Sequence, residues 1–169
     1  MNVRVARLAV LIAALIALAG AGSACSGSKG GPSMNNSMVA PDPVAQSSPV
    51  VSGDILAREP LANHAKVMHI LIGWKDLETH NAKAATRTKA EAEGLVRATL
   101  DQLKAGADFA EMMKSTSEDP GSASSGRAYD VAPDAQLVSE FKQLGLRLKV
   151  GETGVVESDF GFHIMKRTE

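Results

Sequence analysis

The sequence is poor in cysteine and carries almost no net charge, and both features restrict what the chain can do. One cysteine in 169 residues permits neither an intrachain disulfide nor a cysteine-cluster zinc site. The 18 Lys and Arg side chains are balanced by 19 Asp and Glu side chains, so the formal charge of -1 gives no bulk attraction for nucleic acid. Because the four histidines are also far apart in the sequence, we predict no metal site.

The chain begins with a segment typical of a secretory signal peptide, predicted over residues 1–24. Arg4 and Arg7 form a short basic region, an apolar stretch follows at 8–19, and small residues at 20–24 lead to Cys25. A generous reading of the apolar stretch approaches the roughly 20 residues of a transmembrane helix, but the small residues favour cleavage. Cleavage would remove two arginines and leave a charge of 16 minus 19, or -3.

Cys25 follows the small residues directly, in an arrangement that resembles a bacterial lipobox. In that motif the cysteine is lipid-modified, so we predict an exported lipoprotein anchored to a membrane through Cys25 and facing the periplasm or the cell exterior. Gly22 departs from the motif, which usually has leucine or another branched aliphatic residue there. The alternative is ordinary signal-peptidase cleavage, which would leave a free thiol on a soluble periplasmic or secreted protein.

A tether is predicted between the cysteine and the folded domain, over residues 25–60. From Ser26 to Pro60, 18 of 35 residues are Gly, Pro, Ser or Asn, and this composition buries too little apolar surface to offset chain entropy. We therefore expect a disordered linker, although residues 55–61 could pack locally on the domain. The folded domain is assigned to residues 61–169.

Hydrophobic patterns in this domain predict an α+β fold with one small mixed sheet covered by helices, in the order β-α-α-β-α-β-β. Residues 66–72 predict a central strand, 127–131 a brief strand, and 155–157 with 162–166 a hairpin. The first predicted helix begins at a capping box formed by Thr88 and Glu91 and ends at Gly106. A second helix is predicted at 109–113 with Asp108 as its cap, and a third at 136–146. The stretch 115–126 between them is rich in turn residues. The apolar face of the first helix comprises Ala92, Leu95, Val96, Leu100 and Leu103.

Four stretches of the domain resemble, in order and spacing, the parvulin family of peptidyl-prolyl cis/trans isomerases. The resemblance covers about residues 65–169 and depends on the four stretches occurring together. It implies a small mixed sheet of about four strands, about four helices, and an isomerase that acts on proline-containing segments of unfolded or exported proteins. The stretches are Val67–Ile72, Thr86–Ala92, Phe109–Ala123 and Gly151–Ile164.

This reaction needs neither a metal ion nor a cofactor, because no covalent bond is made or broken. Rotation about a peptide C–N bond crosses a barrier of roughly 18–20 kcal/mol, and each tenfold acceleration requires about 1.4 kcal/mol of preferential transition-state stabilisation. An apolar slot for the proline ring and a few well-placed hydrogen bonds are therefore sufficient.

The resemblance also implies roles for individual residues. The family's paired histidines fall on His69 and His163, in neighbouring strands, so we expect the two imidazoles to share a hydrogen bond. Asp119 stands where family members have Cys or Asp, and it would shape the electrostatics of the twisting amide near the substrate carbonyl. The family's proline pocket and its border map to Tyr129, Leu137, Phe141, Ser158 and Phe160.

Each assignment also has a purely structural alternative. The two histidines could mainly hold the geometry of the site, and Asp119 before Pro120 could simply cap a turn. Leu137 and Phe141, four residues apart on one predicted helical face, could belong to the core. His64 and His80 are expected to be exposed loop residues.

Departures from the family pattern keep a second function open. Family members commonly have several glycines around the short strand that follows the acid, whereas this sequence has only Gly126 there. Tyr129 replaces a more usual aliphatic residue, and Leu146 occupies the position of a second aromatic residue. The loop at 74–83 lacks the clustered basic residues of phosphate-reading parvulins, so no preference for phosphorylated substrates is expected. The joint presence of the acid and both histidines favours catalysis, whereas the altered glycines favour a non-catalytic module that binds unfolded chains. The oligomeric state is left open.

Overall fold

The computed structural model describes residues 47–77 and 82–169. Within these ranges it contains one four-stranded sheet and five helices, so the predicted α+β class is confirmed. The predicted signal peptide, Cys25, the first part of the predicted linker and His80 lie outside the described residues. None of the described helices combines the length and the apolar character needed to cross a membrane.

The sheet is antiparallel throughout. Its strands are β1 (Ala65–Ile72), β2 (Tyr129–Val131), β3 (Thr153–Ser158) and β4 (Gly161–Arg167). They lie in the order β2-β1-β4-β3, and each neighbouring pair runs antiparallel. The prediction of a mixed sheet is therefore wrong. Hydrophobic patterns do not encode whether the last strand runs parallel or antiparallel to the first strand beside it.

The predicted helix starts are confirmed where a side chain caps them. The helices are α1 (Gly53–Leu56), α2 (Lys89–Lys104), α3 (Phe109–Thr116), α4 (Pro120–Ser125) and α5 (Ser139–Gly145). At the start of α2, the Thr88 hydroxyl accepts from the Glu91 backbone N–H, and the Glu91 carboxylate accepts from the Thr88 backbone N–H. The Asp108 carboxylate caps α3 by accepting from the Glu111 backbone N–H at 2.9 Å.

Three local predictions need correction. The stretch 115–126 contains α4, which the pattern missed because five of its six residues, PGSASS, are Pro, Gly or Ser. Leu137 precedes α5, which begins at Ser139, so it does not share a helical face with Phe141. Leu95 is 42% exposed, and Thr99 is buried on the inner face of α2 with its hydroxyl bonded to the Leu95 carbonyl.

Successive side chains of β1 point to opposite faces of the sheet and so contribute to two separate core clusters. Ile70 and Ile72 lie in a cluster with residues of α2 and α3, whereas Val67 lies in a second cluster with residues of α5. His69 alternates with Ile70, so it shares the α5 side of the sheet with Val67. The polar residue at position 69 therefore occupies what would otherwise be a core position.

Residues 48–56 form an N-terminal strap that packs on the domain. Val50 is 8% exposed in the α2–α3 cluster, and Ile55 is 4% exposed in the α5 cluster. The strap also covers the edge of β3, because the Ser52 N–H donates to the Val155 carbonyl and the Val155 N–H donates to the Ser52 hydroxyl, each at 2.9 Å. The predicted disordered linker is thus wrong over residues 48–54, whereas Ile55 packs on the domain as the expectation for residues 55–61 allowed. A composition averaged over 35 positions hides the two apolar side chains that anchor the strap.

Candidate active site

The two predicted histidines face each other from the central strands. In the register of β1 and β4, Leu71 lies opposite His163 and His69 lies opposite Met165. The histidines are therefore diagonal neighbours on one face of the sheet, where long side chains can meet. Their Nδ1 atoms are 3.4 Å apart, and each residue is 5% exposed. The expected hydrogen bond between the imidazoles is thus geometrically present.

Asp119 is a helix cap and a member of the site at the same time. Its carboxylate caps α4 by accepting from the backbone N–H groups of Gly121 at 3.2 Å and Ser122 at 3.0 Å, and Pro120 occupies the first helical turn. The same carboxylate accepts from His69 Nε2 at 3.1 Å and from the Tyr129 hydroxyl at 2.9 Å. The Asp119 carboxylate therefore caps a helix, as the structural alternative expected, and also bonds two other predicted site residues.

The ionisation of Asp119 sets the direction of the hydrogen bonds. The His69 hydrogen bond, the largest cause, and the bonds from Ser122 and Tyr129 hold the pKa of the carboxyl well below its usual range despite partial burial. As a carboxylate it only accepts, so His69 Nε2 donates to it. With Nε2–H as the donor to Asp119, His69 has Nδ1 left to accept from His163 Nδ1, and His163 Nε2 is left to accept from a further donor.

That further donor is Ser158, at the end of β3. Its hydroxyl lies 2.7 Å from His163 Nε2 and accepts in turn from the Phe160 backbone N–H at 3.1 Å. Burial, reinforced by His69 and opposed by Asp119, lowers the pKa of His163 to about 3, so His163 is neutral near pH 7. One directed chain of hydrogen bonds thus runs from Ser158 through both histidines to Asp119.

The tight turn between β3 and β4 supports this end of the chain. Gly161 has a φ of 132°, and a Cβ there would lie 2.6 Å from the Ile72 carbonyl oxygen, so only glycine fits. Phe160 in the turn is 47% exposed and lines the mouth of the site. Ser158 is only 9% exposed and does not line the cleft, so its hydroxyl is not presented to a substrate.

An apolar cleft of about 220 Å³ opens directly beside the hydrogen-bonded chain. Phe141 makes edge contacts with both imidazoles, with ring centroids 5.1 Å from His69 and 5.5 Å from His163. The Tyr129 ring lies edge-on to His69 at 5.0 Å, and burial together with Asp119 raises the pKa of its hydroxyl to about 12. The cleft is lined by all the predicted site residues except Ser158, which lies behind His163: His69, Asp119, Tyr129, Leu137, Phe141, Phe160 and His163.

Three further lining residues were not predicted, namely Leu71, Gln136 and Val138. Leu71 could have been found from strand periodicity, since it follows His69 by two residues and shares its face. Gln136 and Val138 flank Leu137 in the turns and bends before α5, and a helical assignment of that segment conceals which of its side chains meet the cleft.

The remaining titratable residues add no second cluster to this site. Among residues 47–77 and 82–169, no group of three His, Cys, Asp or Glu side chains is placed to hold a metal ion. His64 is 62% exposed, as expected for a loop residue, and its ring nitrogen lies 3.5 Å from the Asp130 carboxylate.

Comparison with known proteins supplies the family. The PPIC-type peptidyl-prolyl isomerase (PPIase) domain matches residues 54–169. The chain is 31% identical over 132 residues to the foldase protein PrsA of Geobacillus kaustophilus (strain HTA426), a match covering 75% of this chain and 47% of that protein. It is 38% identical over 81 residues to the chaperone SurA of Pseudomonas aeruginosa, covering 47% of this chain and 19% of that one. The chain therefore spans about half the length of the first relative and about a fifth of the second.

Solved structures agree with this match at the level of the fold. The peptidyl-prolyl isomerase ESS1 from Candida albicans superposes with a TM-score of 0.56 at 23% identity, over 72% of this chain and 67% of that one. The PPIase domain of TbPar42 superposes with a TM-score of 0.52 at 25% identity, over 62% and 99% of the two chains. Since the family match extends over more than half of the sequence and includes the whole site, the chain belongs to the PPIC-type, or parvulin, family of PPIase domains.

Proposed function

We propose that this protein is a peptidyl-prolyl cis/trans isomerase that assists the folding of exported or envelope proteins. The observation that carries the proposal is the position of the apolar cleft, which lies against the Asp119–His69–His163 chain rather than elsewhere on the domain. A cleft of about 220 Å³ lined by Leu137 and Phe141 suits a proline ring with its neighbouring peptide groups.

The apolar walls would act by holding proline while its peptide bond turns. Burying one apolar side chain is worth about 1.5–3 kcal/mol, enough to retain the ring against Phe141. The X-Pro bond strongly resists rotation because C–N conjugation must be lost at the twisted transition state. A site that fixes the ring and leaves the preceding carbonyl free to swing therefore favours rotation over release.

Asp119 is proposed to weaken the conjugation itself. The planar amide places partial negative charge on the carbonyl oxygen, and this charge diminishes as the bond twists. A fixed carboxylate near that oxygen disfavours the planar form more than the twisted one, which lowers the barrier without covalent chemistry. The hydrogen bonds from His69 and Tyr129 keep the carboxylate ionised and oriented, and His163 holds the His69 ring in the required tautomer.

We further propose that substrates are not selected by phosphorylation. Of the described cations that follow β1 in the chain, Arg87 already pairs with the Glu118 carboxylate at 2.6 Å, and Lys89 pairs with Glu157. Lys75 is offset in the sequence by the adjacent Asp76. A phosphate group would require several free cations converging on one point.

The proposed cellular setting follows from the N-terminal sequence. Residues 1–24 would direct export, Cys25 would carry a lipid, and the residues that follow would tether the domain to the membrane. The names foldase and chaperone given to the PrsA and SurA relatives support a role in protein folding.

Mass spectrometry of the mature protein tests whether Cys25 carries the proposed lipid anchor. A mass without a diacylglycerol on Cys25, or unchanged membrane partitioning of Cys25→Ser, would leave a soluble periplasmic or secreted protein.

A protease-coupled assay on an Ala-Pro-Phe-type peptide tests the enzymatic part of the proposal. We expect acceleration by the purified protein and a loss of roughly tenfold or more in Asp119→Ala, since positioned charge of this kind is worth several kcal/mol. Asp130→Ala is the matched control, because the Asp130 side chain is 69% exposed and bonds only the exposed His64 in the described structure. Peptide binding without acceleration would instead identify a non-catalytic module that holds unfolded chains.

A further inference from the structure

A largely buried ion pair between Arg87 and Glu118 lies outside the cleft. Arg87 Nη1 donates to Glu118 Oε1 at 2.6 Å and to the Gly73 carbonyl at 2.8 Å. The other carboxylate oxygen of Glu118 accepts from the Gly73 backbone N–H at 2.8 Å. The side chains of Arg87 and Glu118 are only 16% and 3% exposed. Both polar groups of Gly73 are thus held by one Arg–Glu clamp.

The clamp joins three segments of the chain at Glu118, the residue before Asp119. Gly73 directly follows β1, the strand that carries His69. Arg87 directly precedes Thr88, the cap of α2, and its carbonyl accepts from the Lys75 backbone N–H at 2.9 Å. Glu118 directly precedes Asp119, and its backbone N–H donates to the Leu71 carbonyl at 2.9 Å. The backbone of Asp119 is therefore fixed to the sheet from the residue before it, while α4 fixes it from the residues after it.

Stability alone is a weak explanation for this arrangement. A buried ion pair is costly to desolvate, and apolar residues of similar volume often serve stability equally well. The Glu118 carboxylate uses one oxygen to bond the Gly73 N–H after β1 and the other to bond Arg87. This arrangement has a geometric consequence that apolar packing lacks, because it sets the separation between the loop of Asp119 and the strand of His69. The 3.1 Å bond between Asp119 and His69 depends on that separation.

We propose that Arg87 and Glu118 are positioning residues that hold the Asp119 carboxylate in reach of His69 and of the substrate carbonyl. This inference rests on the proposed isomerase function. It assigns to the clamp an effect on turnover rather than on proline binding, since neither Arg87 nor Glu118 lines the cleft. A small displacement of a reacting group is enough to lower a rate by roughly tenfold to a hundredfold.

The test compares three variants of the full chain. Arg87→Met keeps most of the aliphatic stem and removes the charge, whereas Arg87→Lys restores a cation able to reach the same oxygens. Arg97→Met is the matched control, because Arg97 on α2 pairs with Glu93 at the surface and is 53% exposed. For each variant, kcat and KM for the Ala-Pro-Phe-type peptide are measured together with the NMR signal of the His69 Nε2–H, and the folded fraction is checked by circular dichroism.

We expect Arg87→Met to lower kcat by roughly tenfold or more with KM changed by less than about twofold, and to shift the His69 Nε2–H signal. Arg87→Lys should recover most of the rate, and Arg97→Met should match the wild type. If Arg87→Met does not fold, Glu118→Gln serves instead, since its amide oxygen can still accept from Gly73 while its amide nitrogen cannot accept from Arg87.

Two results would overturn the inference. The first is a folded Arg87→Met or Glu118→Gln protein with wild-type kcat and an unshifted His69 signal, and the second is an equal loss of rate in Arg97→Met. An inactive wild-type protein would reject the proposed function instead. In that case the His69 signal still decides whether the clamp positions Asp119.

Discussion

Mild acid should destabilise the folded domain through His163. The residue is 5% exposed, and burial, reinforced by His69 and opposed by Asp119, lowers its pKa from 6.5 to about 3. The unfolded chain therefore takes up a proton on His163 near pH 6.5, whereas the folded chain leaves the ring neutral until about pH 3. Between these values the unfolded state binds more protons, so the free energy of unfolding falls as the pH falls.

The expected size of this effect follows from proton linkage. One group of this kind contributes about 1.4 kcal/mol per pH unit inside the window, or about 2 kcal/mol between pH 7 and pH 5. Urea unfolding at several pH values compares the wild type with His163→Gln, which cannot titrate. His64→Gln is the control, because the His64 side chain is 62% exposed. If His163→Gln and the wild type lose stability equally between pH 7 and pH 5, the reasoning is refuted.

Three further substitutions test the strap and the cleft. Ile55→Ala should lower the free energy of unfolding by about 2–4 kcal/mol in urea titrations, because Ile55 anchors the strap in the α5 cluster; an unchanged midpoint would mean that the strap does not contribute. Leu137→Ala should raise KM for a proline peptide several-fold, about 1 kcal/mol, with little change in kcat, and an unaffected KM would remove Leu137 from the binding wall. Tyr129→Phe should lower the free energy of unfolding by about 1 kcal/mol, because the hydrogen bond to Asp119 is lost. Its activity at neutral pH should stay within about threefold of the wild type. Complete inactivation would instead assign the hydroxyl a direct role in catalysis.

Much of the fold was predictable because its signals are local. The capping box at Thr88 and the Asp108 cap each satisfy backbone donors within three residues, so both are visible in the sequence and confirmed. The strands also follow short alternating or apolar runs. By contrast, α4 is built from weak helix formers and depends on the Asp119 cap, which a composition-based reading takes for a turn.

The sequence predicts which residues form the site but not the hydrogen bonds that join them. The family resemblance places His69, Asp119 and His163 in the chain, yet the directed hydrogen bonds among them depend on a register that no local pattern encodes. The Arg87–Glu118 clamp joins residues 31 positions apart and has no motif of its own. The strap was missed because two buried side chains suffice to anchor a segment whose average composition is that of a linker.

The central claim is that the cleft catalyses rotation of a bound X-Pro bond rather than merely holding it. NMR exchange spectroscopy on an Ala-Pro-Phe-type peptide, with the protein at a small fraction of the peptide concentration, measures this directly. We expect faster cis–trans exchange of the whole peptide pool with the wild type, and exchange near the uncatalysed rate with Asp119→Ala. Shifted peptide signals with an exchange rate unchanged by the wild-type protein would contradict the claim and leave a peptide-binding module.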